Sequence, residues 1–156
     1  MLAGLEAGIF AACVMAAFFW VENVLLEQSA WHAPRLFAAA LLDRVNVRAG
    51  FDGVTIAGYA FLLVLSGVQG LLFSAMVPPR AGFLWSANAG IIYSLLWHTF
   101  VLRPLVGRSH PYLLTGPLRS WVLLGYFIFG IALGFYPAFY RAIARPLARQ
   151  EATGDK

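Results

Sequence analysis

Two side chains in this sequence have the type and placement to do chemistry inside an apolar stretch. Glu22 stands four residues before Leu26, and His98 four residues before Leu102, each near the end of a long hydrophobic run. At ~1.5 Å per helical residue both sit roughly 6 Å inside the helix end. A carboxylate and an imidazole at matched depth, with His32, Arg103, Gln28 and His110 in the adjoining segments, have the makings of a proton relay or a clamp for quinone carbonyls. Ionisable groups within a membrane segment are functional candidates when they face the protein interior. Glu22 meets that condition: at 100° per residue it falls within about 40° of Gly4 and Gly8, on the small-residue face. The competing expectation is a polar anchor, in which the two groups tie helices together or reach the interface.

Other chemistries find less material. Haem b needs two imidazoles on facing helices, and His32 and His110 fall in connecting segments. A membrane di-iron site needs several converging carboxylates and histidines, more than the chain supplies. Cys13 is the single cysteine, so an internal disulfide is ruled out, and no Cys/His grouping has metal-ligand spacing. Ser86 and Ser94 have no partnered base and read as packing residues. No cofactor and no enzymatic activity are expected from these residues, with haem b or quinone as the alternative.

The elements that must hold these groups are membrane helices. Of the 156 residues, 61% are hydrophobic and 12% charged, well outside the usual soluble range. Four apolar runs, about 7–26, 54–77, 81–102 and 121–140, each have the ~20 residues that cross a hydrocarbon core. The stretch 34–47 starts with proline in its first turn. It puts Leu36, Phe37, Ala40 and Leu41 on one face, with Arg35, Asp43 and Asn46 largely off it, the pattern of a short interfacial amphipathic helix. The fold class is therefore an all-α membrane protein, with four transmembrane helices in two antiparallel hairpins plus that interfacial helix. It forms one domain over 1–141, followed by a basic polar tail, 142–156. The N-terminus lacks the basic residues of a secretory signal.

Small residues recur every four positions: Gly4 and Gly8 in the first run, Ser66, Gly70 and Ser74 in the second, Gly130 and Gly134 in the fourth. The third carries Gly82, Ser86, Gly90, Ser94 and His98. Such rows let membrane helices approach closely. Spacing of four drifts about 40° per step on a 3.6-residue helix. The third row should therefore meet two different neighbours, or one neighbour that crosses it steeply. Gly58-Tyr59 and Gly125-Tyr126 share a constant offset with Gly67 and Gly134, which raises an internal duplication of hairpins.

Ten of the eleven basic residues are arginine, mostly flanking the apolar runs. Lipid headgroups, rather than nucleic acid, are their expected counter-charge. They divide almost evenly between the two sides, so they set no orientation. Trp20, Trp31, Trp97 and Trp121 fall near one edge and Trp85 near the other, as interfacial belts require.

The small-residue first run, the stretch from Pro34 and the Gly58-Tyr59 and Gly125-Tyr126 pairs together resemble a group of small bacterial four-helix integral membrane proteins of no assigned activity. The resemblance spans most of residues 4–140. It departs at the glycine–aromatic pairs, near which relatives often have a histidine. It implies architecture and a bacterial inner-membrane location, not a mechanism. The expected function is a non-catalytic membrane subunit or scaffold, packed against itself or other membrane subunits in the bilayer. The alternative is a small transporter or redox-linked subunit using Glu22 and His98.

Overall fold

The computed structural model describes residues 1–39, 42, 45, 46, 50–102, 104 and 118–144. Every regular element among them is helical. Helix α1 is Leu2–Leu25, α2 His32–Ala39, α3 Gly53–Met76 and α4 Phe83–Trp97, the last continued by a π turn, His98–Leu102. Helix α5 is Leu118–Leu133, and 136–144 forms α6. Three helical stretches are long and apolar enough to cross a membrane: Leu2–Leu25, Gly53–Met76 and Ser120–Ala144.

The ends of these helices follow local chemistry. Asp52 caps α3: its carboxylate accepts from the amides of Val54 (3.0 Å) and Thr55 (3.2 Å), and the Thr55 hydroxyl faces back to the Asp52 backbone. That reciprocal box satisfies amide donors that the first turn would otherwise leave open. Helix α1 closes with Gln28 N donating to Asn23 O (2.8 Å) and Glu27 N to Val24 O (3.2 Å). These two bonds form a Schellman closure, whose left-handed position favours glycine. Glu27 occupies it at φ 54°. Between α5 and α6 the helix loosens at Gly134 and Phe135, whose amides bond three residues back. Pro137 is the cause: it has no N–H to offer the carbonyl of Leu133 and crowds it sterically.

Three helix pairs come into backbone contact, α2 with α3 at Pro34 and Gly58 and two pairs of apolar helices. A Cβ added at Gly4 would meet Ser74 and Gly70, one at Gly8 would meet Ser66 O, and one at Gly70 would lie 2.7 Å from Gly8 Cα. Further along the chain, a Cβ at Gly90 would strike Gly130 O, and one at Gly130 would lie 2.5 Å from Ile91 Cα. In the two apolar pairs the contacts move up one helix as they move down the other, so α1 runs against α3 and α4 against α5. Helix α5 also packs on α1, through Phe19 at Gly125 and Phe18 near Trp121 (6.3 Å between ring centroids). Tyr93 of α4 reaches α3, where its hydroxyl donates to Gln69 O (3.1 Å) and its ring lies 5.6 Å from Phe73.

Three members of the row in α4, and Ala87 beside it, meet the same stretch of chain. Ala87 touches Gly134, Gly90 touches Gly130, and Ser94 and His98 both touch Tyr126. Residues four apart form a ridge inclined about 26° to the helix axis, so a neighbour laid along that ridge meets the whole row. Gly82 stands outside it. It is the N-cap of α4, and a Cβ there would meet nothing within 4 Å.

Beside an apolar core, polar groups are enclosed and large apolar ones face outward. Glu22, Asn23, Thr55, Ser66, Gln69, Ser86, Ser94 and His98 are buried, whereas Leu84 and Phe100 are 76% and 72% exposed. A water-soluble fold hides its apolar side chains and exposes polar ones. Large apolar side chains on the outside together with enclosed polar ones suit a hydrocarbon surrounding, where polar groups gain by facing one another.

Candidate functional site

The predicted site residues fall in separate places. Glu22 and Asn23 are 5% and 3% exposed, in the last turn of α1. His98 is buried at the start of the π turn, its ring 5.1 Å from that of Tyr126. π turns inside helices often accompany functional positions. Just before it, Ser94 donates its hydroxyl across to Tyr126 O (2.8 Å), with Ile91 O at 3.0 Å on its own helix. Imidazole, serine and tyrosine therefore form one seam between α4 and α5.

Glu22 is not part of that seam. Helix α1 packs on α3, α5 and α2, while α4 packs on α5. Among the described residues no hydrogen bond or ion pair joins Glu22 to His98. Matched depth fixes height along the helices and not which helices are neighbours, and the described contacts place Glu22 and His98 on different helix pairs. Arg103 and His110 lie outside the described residues. His32 opens α2.

Sequence reasoning missed a third constellation, built around Arg35. Expected off the apolar face of its helix, Arg35 is instead 3% exposed. Its Nε donates to Asn46 O (2.7 Å), and its Nη1 donates to Gly50 O (2.9 Å), Asp52 Oδ1 (2.5 Å) and, more weakly, Thr55 Oγ1 (3.4 Å). A buried guanidinium is tolerable when its donors find acceptors, as Nε and Nη1 do here. One cation thereby ties α2, the following connection and the capping residue of α3 together. Desolvation pushes the Asp52 carboxyl up, but the Arg35 hydrogen bond and charge and the Thr55 and Val54 amides outweigh it. They hold it below the usual carboxylate range.

The buried face of α2 also differs from the expected one. Ala33, Pro34, Arg35, Ala38 and Ala39 are buried, while Leu36 and Phe37 are half-buried. The reason is close approach: a Cβ on Gly58 would collide with Pro34 O, so α2 rests on α3 through its smallest residues. Phe37 turns toward Phe19 of α1, 6.3 Å between ring centroids. A sequence signal for the Arg35 site existed in Asp52-x-x-Thr55 ahead of an apolar run. That cap marks where an acceptor cluster must form.

No group of three or more histidine, cysteine, aspartate or glutamate side chains gathers into a metal site among the described residues. A groove of about 270 Å³, lined by Phe10, Phe135, Ala138, Phe139 and Ala142, opens on the outer surface beside α1 and α6. No family model, curated protein or solved structure matches the chain. What the fold defines is a class: an all-helical chain with three helical stretches long and apolar enough to cross a membrane.

Proposed function

We propose that this chain is a four-span integral membrane protein that acts as a non-catalytic subunit or scaffold, within a larger membrane complex or a homo-oligomer. In this reading α4 is the fourth span. Its fifteen residues and the five of the π turn together approach the ~20 that a bilayer requires. The spans form two antiparallel hairpins, α1 with α3 and α4 with α5 and α6, and α2 lies at the membrane interface, moored by Arg35.

The observation that carries this reading is the backbone contact at Gly4 and Gly8 with Gly70, and at Gly90 with Gly130. Helices that close together leave no path between them for a solute, and their interior is committed to structure. The small-residue rows are spent on these internal contacts. An association surface would therefore be built from the large apolar side chains outside, such as Ile56, Val64 and Leu72 on α3. The redox-linked alternative would need Glu22 and His98 to act without a direct bond between them. Native mass spectrometry of the chain extracted in mild detergent tests the proposal. A homo-oligomer or a stoichiometric complex is expected; a lone monomer at all concentrations refutes it.

A further inference from the structure

We propose that the groove between α1 and α6 is a phospholipid site, which takes an acyl chain between its phenylalanine rings and the phosphate on Arg141. The inference rests on the membrane location proposed above and not on the subunit role.

The groove, of about 270 Å³, is lined by Phe10 of α1, by Phe135 just before α6, and by Ala138, Phe139 and Ala142 on α6. Among the described residues no polar side chain lines it. The ring of Phe10 lies 5.7 Å from that of Phe135 and 5.6 Å from that of Phe139. The two alanines, one helical turn apart, are too small to fill the space beside those rings. Roughly 150 Å³ is enough to hold a benzene molecule, so a length of hydrocarbon chain fits. Apolar character alone does not choose an occupant, because any lipid-facing surface has it.

Arg141 makes the choice. It precedes Ala142 on α6 and stands three residues before the end of the apolar stretch Ser120–Ala144. An arginine in that position ordinarily extends outward, away from the hydrocarbon. This one folds back along its helix, and its Nε donates to Pro137 O (3.0 Å). The bond holds the guanidinium at the level of Ala138, alongside the groove rather than beyond its end. The side chain is exposed, and among the described residues its Nη groups have neither an acceptor nor an ion pair. Glu6, one turn before Phe10 on α1, does not pair with it. Arg80 adds a second cation at this end of the molecule: it stands three residues before Phe83, whose ring lies 4.9 Å from Phe135.

A cation against hydrocarbon is costly unless an anion meets it. The two Nη groups form a planar pair of donors that matches two phosphate oxygens. A phospholipid carries that phosphate at the edge of the hydrocarbon layer, joined covalently to an acyl chain. One molecule therefore satisfies both the cation and the groove.

The test uses the full chain in dodecyl maltoside micelles, which contain no phosphate. The probe is a trace of phosphatidylglycerol bearing a photoreactive diazirine on one acyl chain. Peptide mapping by mass spectrometry should find adducts concentrated on the peptides that hold Phe10 and Phe139, with background labelling at Ile56, Val64 and Leu72, the outward residues of α3. R141Q should lower the groove adducts about ten-fold, the loss of one charge-assisted hydrogen bond, and leave those on α3 unchanged. Diacylglycerol with the same photoreactive chain should label the wild-type groove as weakly as phosphatidylglycerol labels R141Q, a comparison that needs no variant to fold. Even labelling of the groove and α3 overturns the proposal, as does diacylglycerol labelling the groove as strongly as phosphatidylglycerol. A groove left bare while the rest of the surface is labelled shows that protein covers it, and also overturns the proposal. Flotation of the chain with reconstituted vesicles checks the membrane location separately; a chain that stays in the aqueous fraction refutes that reading and this one together.

Discussion

Gly67 and Gly70 lie three residues apart in α3, and the structure gives the same substitution opposite signs at the two. Gly→Ala in a helix interior gains about 0.5–1 kcal/mol from backbone entropy alone, an upper figure for a helix shielded from water. At Gly67 the new methyl would meet Leu5 Cδ1 at 2.8 Å, the far end of a flexible side chain that can rotate away. At Gly70 it would meet Gly4 O together with the Cα and N of Gly8, both at 2.7 Å. Those are backbone atoms of α1, and they cannot yield unless the two helices separate. Overpacking of this kind costs about 1–3 kcal/mol, and parting the helices also weakens their dispersion contacts. The expected results are G67A neutral to stabilised by about 0.5 kcal/mol, and G70A destabilised by about 1–2 kcal/mol. Equilibrium unfolding of the two variants in mixed micelles, with increasing denaturing detergent, reads the difference directly. If G70A unfolds with or after G67A, α1 and α3 are not in backbone contact at this crossing, and the packing argument fails.

Three further outcomes follow from individual contacts. Arg35→Met leaves the carbonyls of Asn46 and Gly50 without their donor and should destabilise the fold by about 2–4 kcal/mol, charge-assisted hydrogen bonds being worth about 1.5–3 each. Arg35→Lys, lacking the planar fork, should recover only part of that loss in the same unfolding assay. The Asp52 carboxyl is held below its ordinary value, so its contribution to stability is present above the unfolded carboxylate range and is lost as pH falls through the folded value. Amide hydrogen exchange in the first turn of α3 should therefore accelerate at acid pH, and D52N should flatten that acceleration. Glu27→Gly should raise stability by about 1 kcal/mol, because glycine takes the left-handed conformation at φ 54° without a Cβ penalty; an unchanged or lower unfolding midpoint would contradict the Schellman geometry.

Much of the helical framework was legible in the sequence because hydrocarbon is a simple solvent. Runs of ~20 apolar residues have few alternatives to helix there, since every backbone polar group must be satisfied within the segment. Boundaries at 54–77 and Gly53–Met76 differ by one residue, and Gly4, Gly8, Gly90 and Gly130 stand in the contacts that rows of small residues announce. The break at Gly134 and Phe135 was written in Pro137, though an apolar run hides it from hydropathy.

Neighbour choice was not legible. Hydropathy and spacing give each residue a depth and an angle on its own helix. They do not say that α5 receives Gly90, Ser94 and His98 of α4, or that α1 packs on α2, α3 and α5. Those outcomes depend on which ridges interlock, a property of pairs of helices that no single segment carries. Arg35 is the clearest instance. By itself it reads as an interfacial cation on the polar side of a short helix. Only the folded chain brings Asn46 O, Gly50 O, Asp52 and Thr55 around its Nε and Nη1, and those acceptors offset the cost of its burial. The sequence thus determined that helices form and roughly which stretches are long and apolar enough to cross a membrane. Tertiary packing decided which polar groups meet, because each must find its partner on another element.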